Sequence, residues 1–212
     1  MDFHSFLKLA ADLPVVETKL FLPMVADPAG FLVQIGRWEK AGKLIRAKRG
    51  VYLLAREYRT KKVFEPFLAA LLSKPSYISL EKALEFHGLI PEAIPVYTSI
   101  TTRRPATYAV EGVRFEYRHI QTSLFQGYQS ATRSGQTGFI ATPEKSLLDL
   151  LYLHRGPVSE DSIEELRLQN TGIVNKEVLP ARAEAFQKPR MVAAARLLVE
   201  YMNDRENQER KV

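Results

Sequence analysis

Residues 27–54 leave the backbone few choices. Asp27 followed by Pro28 is a helix N-cap with proline at the first helical position. Gly42 supplies the left-handed residue at which a helix ends most easily. Between them Phe31, Ile35 and Trp38 fall at i, i+4 and i+7 and make one buried face. Immediately beyond, Leu44-Ile45-Arg46-Ala47 and Val51-Tyr52-Leu53-Leu54 read as two strands around Lys48-Arg49-Gly50, with Gly50 in the turn.

The residues upstream complete a module. Phe3, Phe6, Leu7, Ala10 and Ala11 recur at helical spacing before Pro14. Val15-Val16 is a short extended piece. Thr18 is the expected cap of a second short helix through Leu20, Leu22 and Met24, weakened by Pro23. Three helices and a basic-tipped β-hairpin are the plan of a winged helix-turn-helix, expected over residues 1–62.

Charge points the same way. Twelve of the 30 Lys and Arg but only six of the 24 Asp and Glu lie in residues 1–62. Residues 63–212 therefore hold 18 of each, and the net +6 belongs to the N-terminal part alone. Such an asymmetry marks a module made for a polyanion. Half of the twelve bases fall between Gln34 and Gly50, opposed only by Glu39. Gln34, Arg37 and Lys40 are expected on the outer face of the third helix, where Arg and Lys meet phosphate or guanine and Gln pairs with adenine. Arg46, Lys48 and Arg49 on the hairpin are expected to touch the backbone or the minor groove. The plainer alternative is a solvated basic face.

The rest of the chain reads as a mixed α/β domain over residues 63–212 with a helical tail, so the expected fold class is α+β. After the charged connector 55–64, helices are expected over Glu65–Ser73, from a Ser79 cap to His87, and after Thr142-Pro143-Glu144. Strands are expected at Val96–Thr101, Val113–His119 and Thr137–Ala141. Residues 161–205 read as helical with a break at Pro189, and Asp204–Val212 as a frayed polar tail.

Several chemistries find no support. The absence of cysteine removes disulfides, thiolate catalysis and Cys-ligated zinc. The four histidines are scattered, so neither a metal nor another cofactor is expected. No Walker loop, GxSxG elbow or GxGxxG occurs. The first-turn acids Glu81 and Glu144 are explained by the helix dipole. Catalysis is not expected. No apolar run reaches the roughly 20 residues of a membrane span, and the first 13 residues do not resemble a signal peptide, so a cytoplasmic location is expected. His119, at a strand end, is expected to be a hydrogen-bonded core residue. Arg103-Arg104-Pro105 forms a rigid basic corner suited to phosphate or an acidic partner.

Five segments in order resemble a known family. They are Trp38–Arg46 running into Arg49-Gly50-Val51-Tyr52, Tyr77–Leu84 with His87–Ile90, Thr101–Pro105, Phe115–Ile120, and Ala141–Leu150. Together they are similar to the AbiEi-type antitoxins of abortive-infection, type IV toxin–antitoxin systems, over about residues 3–170. The resemblance implies a winged-helix autorepressor that binds inverted repeats of double-stranded DNA in its own promoter. It also implies a C-terminal domain that counters a nucleotidyltransferase-like toxin, and no enzymatic activity of its own. By position it places Gln34, Arg37 and Lys40 on the recognition helix and Lys43, Arg46, Lys48 and Arg49 on the wing. Arg37 is the only base just ahead of Trp38, which shifts the expected affinity toward the wing. A monomer or weak dimer is expected, since no coiled-coil repeat is present. The alternatives are a ligand-responsive winged-helix transcription factor without a toxin partner and a DNA-cleaving enzyme with a winged-helix reader.

Overall fold

The computed structural model describes residues 1–209; side chains are described through residue 207. The chain is mixed α+β with a helical C-terminal end. Its first part runs α1 (Phe3–Ala10), β1 (Val16–Glu17), α2 (Thr18–Phe21), a 3-10 turn at Leu22–Met24, α3 (Pro28–Lys40), β2 (Leu44–Lys48) and β3 (Val51–Leu54). The three strands form an antiparallel sheet in the order β1-β3-β2.

The capping chemistry of α3 is as expected: the Asp27 carboxylate accepts from the Gly30 N–H at 2.9 Å, and Gly42 follows with φ +71°. Phe31, Ile35 and Trp38 are buried. They close on Phe6, whose ring centroid lies 4.9 Å from that of Trp38 and 5.2 Å from that of Phe21. Thr18 does not cap α2. The N-cap is Glu17 without a side-chain bond, while Thr18 is tied through its N–H to the Gly50 carbonyl at 2.9 Å. The adjoining β1–β3 pairing therefore locates α2, and no local cap is needed.

The second part holds α4 (Glu65–Leu72), β4 (Ser76–Ile78), α5 (Leu80–Phe86), β5 (Val96–Thr101), β6 (Ala106–Val110), β7 (Val113–His119), β8 (Tyr128–Arg133), β9 (Gln136–Ala141) and α6 (Pro143–Leu153). Its six-stranded mixed sheet has the order β6-β7-β5-β4-β9-β8, with β5–β7 and β4–β9 parallel. Helix α4 covers one face, where its Ala69 carbonyl accepts from the Tyr117 hydroxyl at 2.7 Å. Helix α6 covers the other, where Asp149 accepts from Tyr77. The C-terminal end is less continuous than periodicity predicts: α7 (Glu160–Glu164), a 3-10 turn at Thr171–Ile173, α8 (Val178–Glu184) and α9 (Pro189–Glu209). Helix α9 runs on through the polar segment from Asp204 to Glu209; the last three residues of the expected tail lie outside the described residues.

The first sheet is covered on both sides. Val16, Leu44, Tyr52 and Leu54 face the N-terminal helices. Val15, Ala47, Val51 and Leu53 belong to the core of the second part. The alternation of apolar side chains along a strand does both jobs at once. The connector strengthens the join, with Arg59 Nη2 2.7 Å from the Glu111 carboxylate at the β6–β7 turn.

Candidate nucleic-acid interface

The outward face of α3 is assembled by elimination. With Phe31, Ile35 and Trp38 turned inward, Leu32, Val33, Arg37 and Lys40 are exposed. Gly36 lies among them with nothing within 4 Å of where a Cβ would stand. Gln34 is half-buried on the flank, so the outward face that periodicity assigned to it belongs instead to Val33. Helical phase carries this information: Leu32 and Val33 fall off the Phe31-Ile35-Trp38 stripe, although their apolar character alone suggests ordinary core residues. At 49% and 55% exposure they present methyl groups to whatever α3 meets. Apolar side chains in that position suit thymine methyls.

The hairpin sorts its bases into two groups. Arg46 and Arg49 are exposed; Arg46 lies only 3.9 Å from Glu39 with nearly half its side chain in solvent. Lys43 is drawn back over the Phe3 ring, its Nζ 4.6 Å from the centroid. Lys48 turns the other way. The strand register shifts between Arg46 and Lys48. A bulge of this kind re-aims the following side chain. Lys48 Nζ accordingly donates to the Leu72 carbonyl at the end of α4, at 3.0 Å. Burial pushes the Lys48 ammonium down from its ordinary value, and repulsion from Lys74 adds to the effect.

The same turn brings together bases that are far apart in sequence. A cleft of about 550 Å³ between hairpin tip and second part is lined by Lys19, Lys48, Arg49, Lys74 and Arg103, with Glu17 the single carboxylate in its wall among the described residues. Arg103 thus joins Lys48 and Arg49, which spacing could not reveal. Arg104 is exposed beside it. His119 is exposed and not a core residue; its Nδ1 lies 3.1 Å from the Arg103 carbonyl and steadies that corner.

A second polar cluster is entirely internal. Asp149 has no exposed surface and takes bonds from Lys145 Nζ at 2.6 Å, Ser79 Oγ at 2.8 Å and Tyr77 OH at 3.0 Å. Ser79 therefore spends its hydroxyl on Asp149 and not on capping α5. Burial pushes the Asp149 carboxyl up against the opposing pull of Lys145, Ser79 and Tyr77. Glu144 likewise does more than serve the helix dipole. Its Oε1 accepts from the Asn175 N–H at 2.9 Å, fixing the approach to α8. These residues bind α6 to β4, to α5 and to the C-terminal segments. Tyr77, Ser79 and Lys145 all have Asp149 as their acceptor, so the cluster reads as a brace.

Among the described residues, no group of three or more His, Asp or Glu stands close enough to hold a metal ion. No helix among them is long and apolar enough to cross a membrane. No protein-family model matches the chain, and no curated protein matches it.

Proposed function

We propose that residues 1–62 form a winged helix-turn-helix and that the protein is a duplex-DNA-binding autorepressor, with residues 63–212 acting as the antitoxin toward a nucleotidyltransferase-like toxin. The DNA part is supported by the order of three helices and strands, with α3 passing into a tight hairpin. The observation that carries it is the outward face of α3. There Arg37 and Lys40 are exposed with no acidic partner among the described residues, around the bare position of Gly36, and Arg46 and Arg49 are exposed on the hairpin that follows. A helix that turns cations and the apolar Leu32 and Val33 outward, with only glycine at 36, can enter the major groove while the hairpin bases take phosphates.

The antitoxin part rests on the five ordered segments. Their residues are not scattered in space: Tyr77, Ser79, Lys145 and Asp149, from the second and fifth segments, meet in the internal brace. His87, also from the second, bonds through Nε2 to the carbonyl of Ala141, from the fifth, at 2.7 Å. The motif residues of the second part thus account for its fold, and toxin contacts are sought on its surface, at Arg103 and Arg104 first.

The test is a titration of the protein with its own upstream region over a salt series. Each neutralised phosphate contributes a slope of about −0.9 in log K against log salt. Lys48 is already engaged, so Arg46→Ala with Arg49→Ala is expected to flatten the slope by about 1.8, and Lys48→Ala to add nothing further. An unchanged slope in the double variant removes the hairpin from the interface. Rescue of growth on co-expression with the adjacent toxin gene tests the antitoxin part.

A further inference from the structure

The cleft beside the hairpin tip gathers charge of which the duplex reading uses Arg49 alone. Lys19, Lys48 and Arg49 come from the first part, Lys74 and Arg103 from the second. Glu17 is the only carboxylate among these described residues, 3.0 Å from Lys19 and 4.0 Å from Lys74, which leaves a net +4 in one concavity. Keeping like charges together disfavours the folded state unless an anion joins them. Lys48 is recessed and reaches only a group that enters the cleft, whereas a duplex lies against an outer surface.

We infer that this cleft is a binding site for a small phosphorylated molecule. Its volume of about 550 Å³ lies in the range of ligand pockets, which run from roughly 300 to 1,000 Å³. Arg49 from the first part and Arg103 from the second give fork-shaped donors for phosphate oxygens, and Lys19, Lys48 and Lys74 give point charges. Tyr108 lines the same cleft and offers an aromatic ring to a base, which fits a nucleoside diphosphate. A ligand held there bonds to both parts of the chain and clamps the hairpin onto α4. Binding there requires no duplex.

The experiment uses the full chain, with inorganic pyrophosphate and ADP as probes, in calorimetric titration and thermal unfolding at low salt. Saturable 1:1 binding and a raised Tm are expected. Lys74→Gln with Arg103→Gln is expected to weaken it by about tenfold or more, equivalent to about 1.4 kcal/mol. Both side chains are solvent-facing, so a ligand-free Tm equal to or above that of the wild type shows that this variant is folded. Arg37→Ala, on α3, is expected to leave pyrophosphate binding as it is. Absence of saturable binding of either probe at about 1 mM overturns the inference, as does binding that survives the double substitution. If a duplex displaces pyrophosphate and the double variant flattens the duplex salt slope, the cleft belongs to the duplex interface and the small-ligand site is refuted. Failure of the wild-type protein to bind duplex counts against the proposed repressor alone, because pyrophosphate binding is read separately.

Discussion

The internal brace makes a quantitative claim that can be tested without knowing any partner. Asp149 is fully buried and Lys145 is 4% exposed, with 2.6 Å between Nζ and Oδ1. Removing one member leaves the other charge buried without compensation, which costs about 3–5 kcal/mol. Asp149→Asn and Lys145→Met should each fall in that range by separate routes: the first strands the ammonium, the second strands the carboxylate. The double variant has neither charge, and the amide carbonyl introduced by Asp149→Asn still accepts from Ser79 and Tyr77. A buried pair replaced by neutral groups of similar size is often close to neutral, so the double variant should lose only about 1 kcal/mol. The coupling between the sites is then at least about 5 kcal/mol, far beyond the few tenths found for independent positions. Urea denaturation followed by circular dichroism, with the m-value checked across the four proteins, measures it. Additive losses, within about 0.5 kcal/mol, would show that the two side chains do not act as a pair. Single losses below about 1 kcal/mol would show that the site is open to water.

Three further outcomes follow from particular contacts. A Cβ at Gly138 would stand 2.4 Å from the Pro66 carbonyl carbon, where α4 crosses β9. Gly138→Ala should therefore cost about 2 kcal/mol or more in urea titrations, as overpacking does, and a neutral result would mean that α4 is not seated there. Burial raises the Glu144 carboxyl, but the Asn175 N–H, the Thr142 hydroxyl and Arg182 outweigh it and hold it below its ordinary 4.5. Its contribution is complete above about pH 4.5 and is lost as pH falls through the depressed value. Glu144→Gln should cost about 1–2 kcal/mol at pH 7 and nothing at low pH; a loss independent of pH would contradict the bond to Asn175. On α3, Arg37→Ala should reduce discrimination between the upstream region and random duplex by about 1–3 kcal/mol, whereas equal weakening on both would make Arg37 a phosphate contact.

How much of this was readable depended on how local the determining contact is. Helix α3 and its hairpin were legible because Asp27, Pro28, Gly42 and Gly50 act within four residues of themselves. The helix after Thr142 was legible for the same reason, its cap bonding to the Lys145 N–H. Thr18 and Ser79 misled because a hydroxyl ahead of a helix can serve a remote partner equally well, Gly50 in one case and Asp149 in the other. Strand β8 went unread because Tyr128–Arg133 has no buried residue at all, and β6 because it is only five residues long with a single buried one, Val110. They are edge strands, specified by pairing with β7 and β9 more than by their own composition. The candidate site divides along the same line. Arg37 and Lys40 follow from helical phase, but the direction of Lys48 depends on a bulge and on a carbonyl 24 residues away.

That bulge has a consequence for how the two parts relate. An ordinary ladder would keep Lys48 on the same side of the strand as Arg46, free for a phosphate. Shifting the register instead commits one cation of the hairpin to the end of α4, while Val15, Ala47, Val51 and Leu53 commit the sheet's rear face to the second core. The hairpin is therefore not a free arm. Its tip is held between the two parts, through the Lys48 bond to α4, while Arg46 and Arg49 remain exposed. Rigidity of this kind lowers the entropy lost when a surface docks. It also means that anything altering the packing of α4, or the charge gathered beside Lys48, acts on the same hairpin that the proposed interface uses.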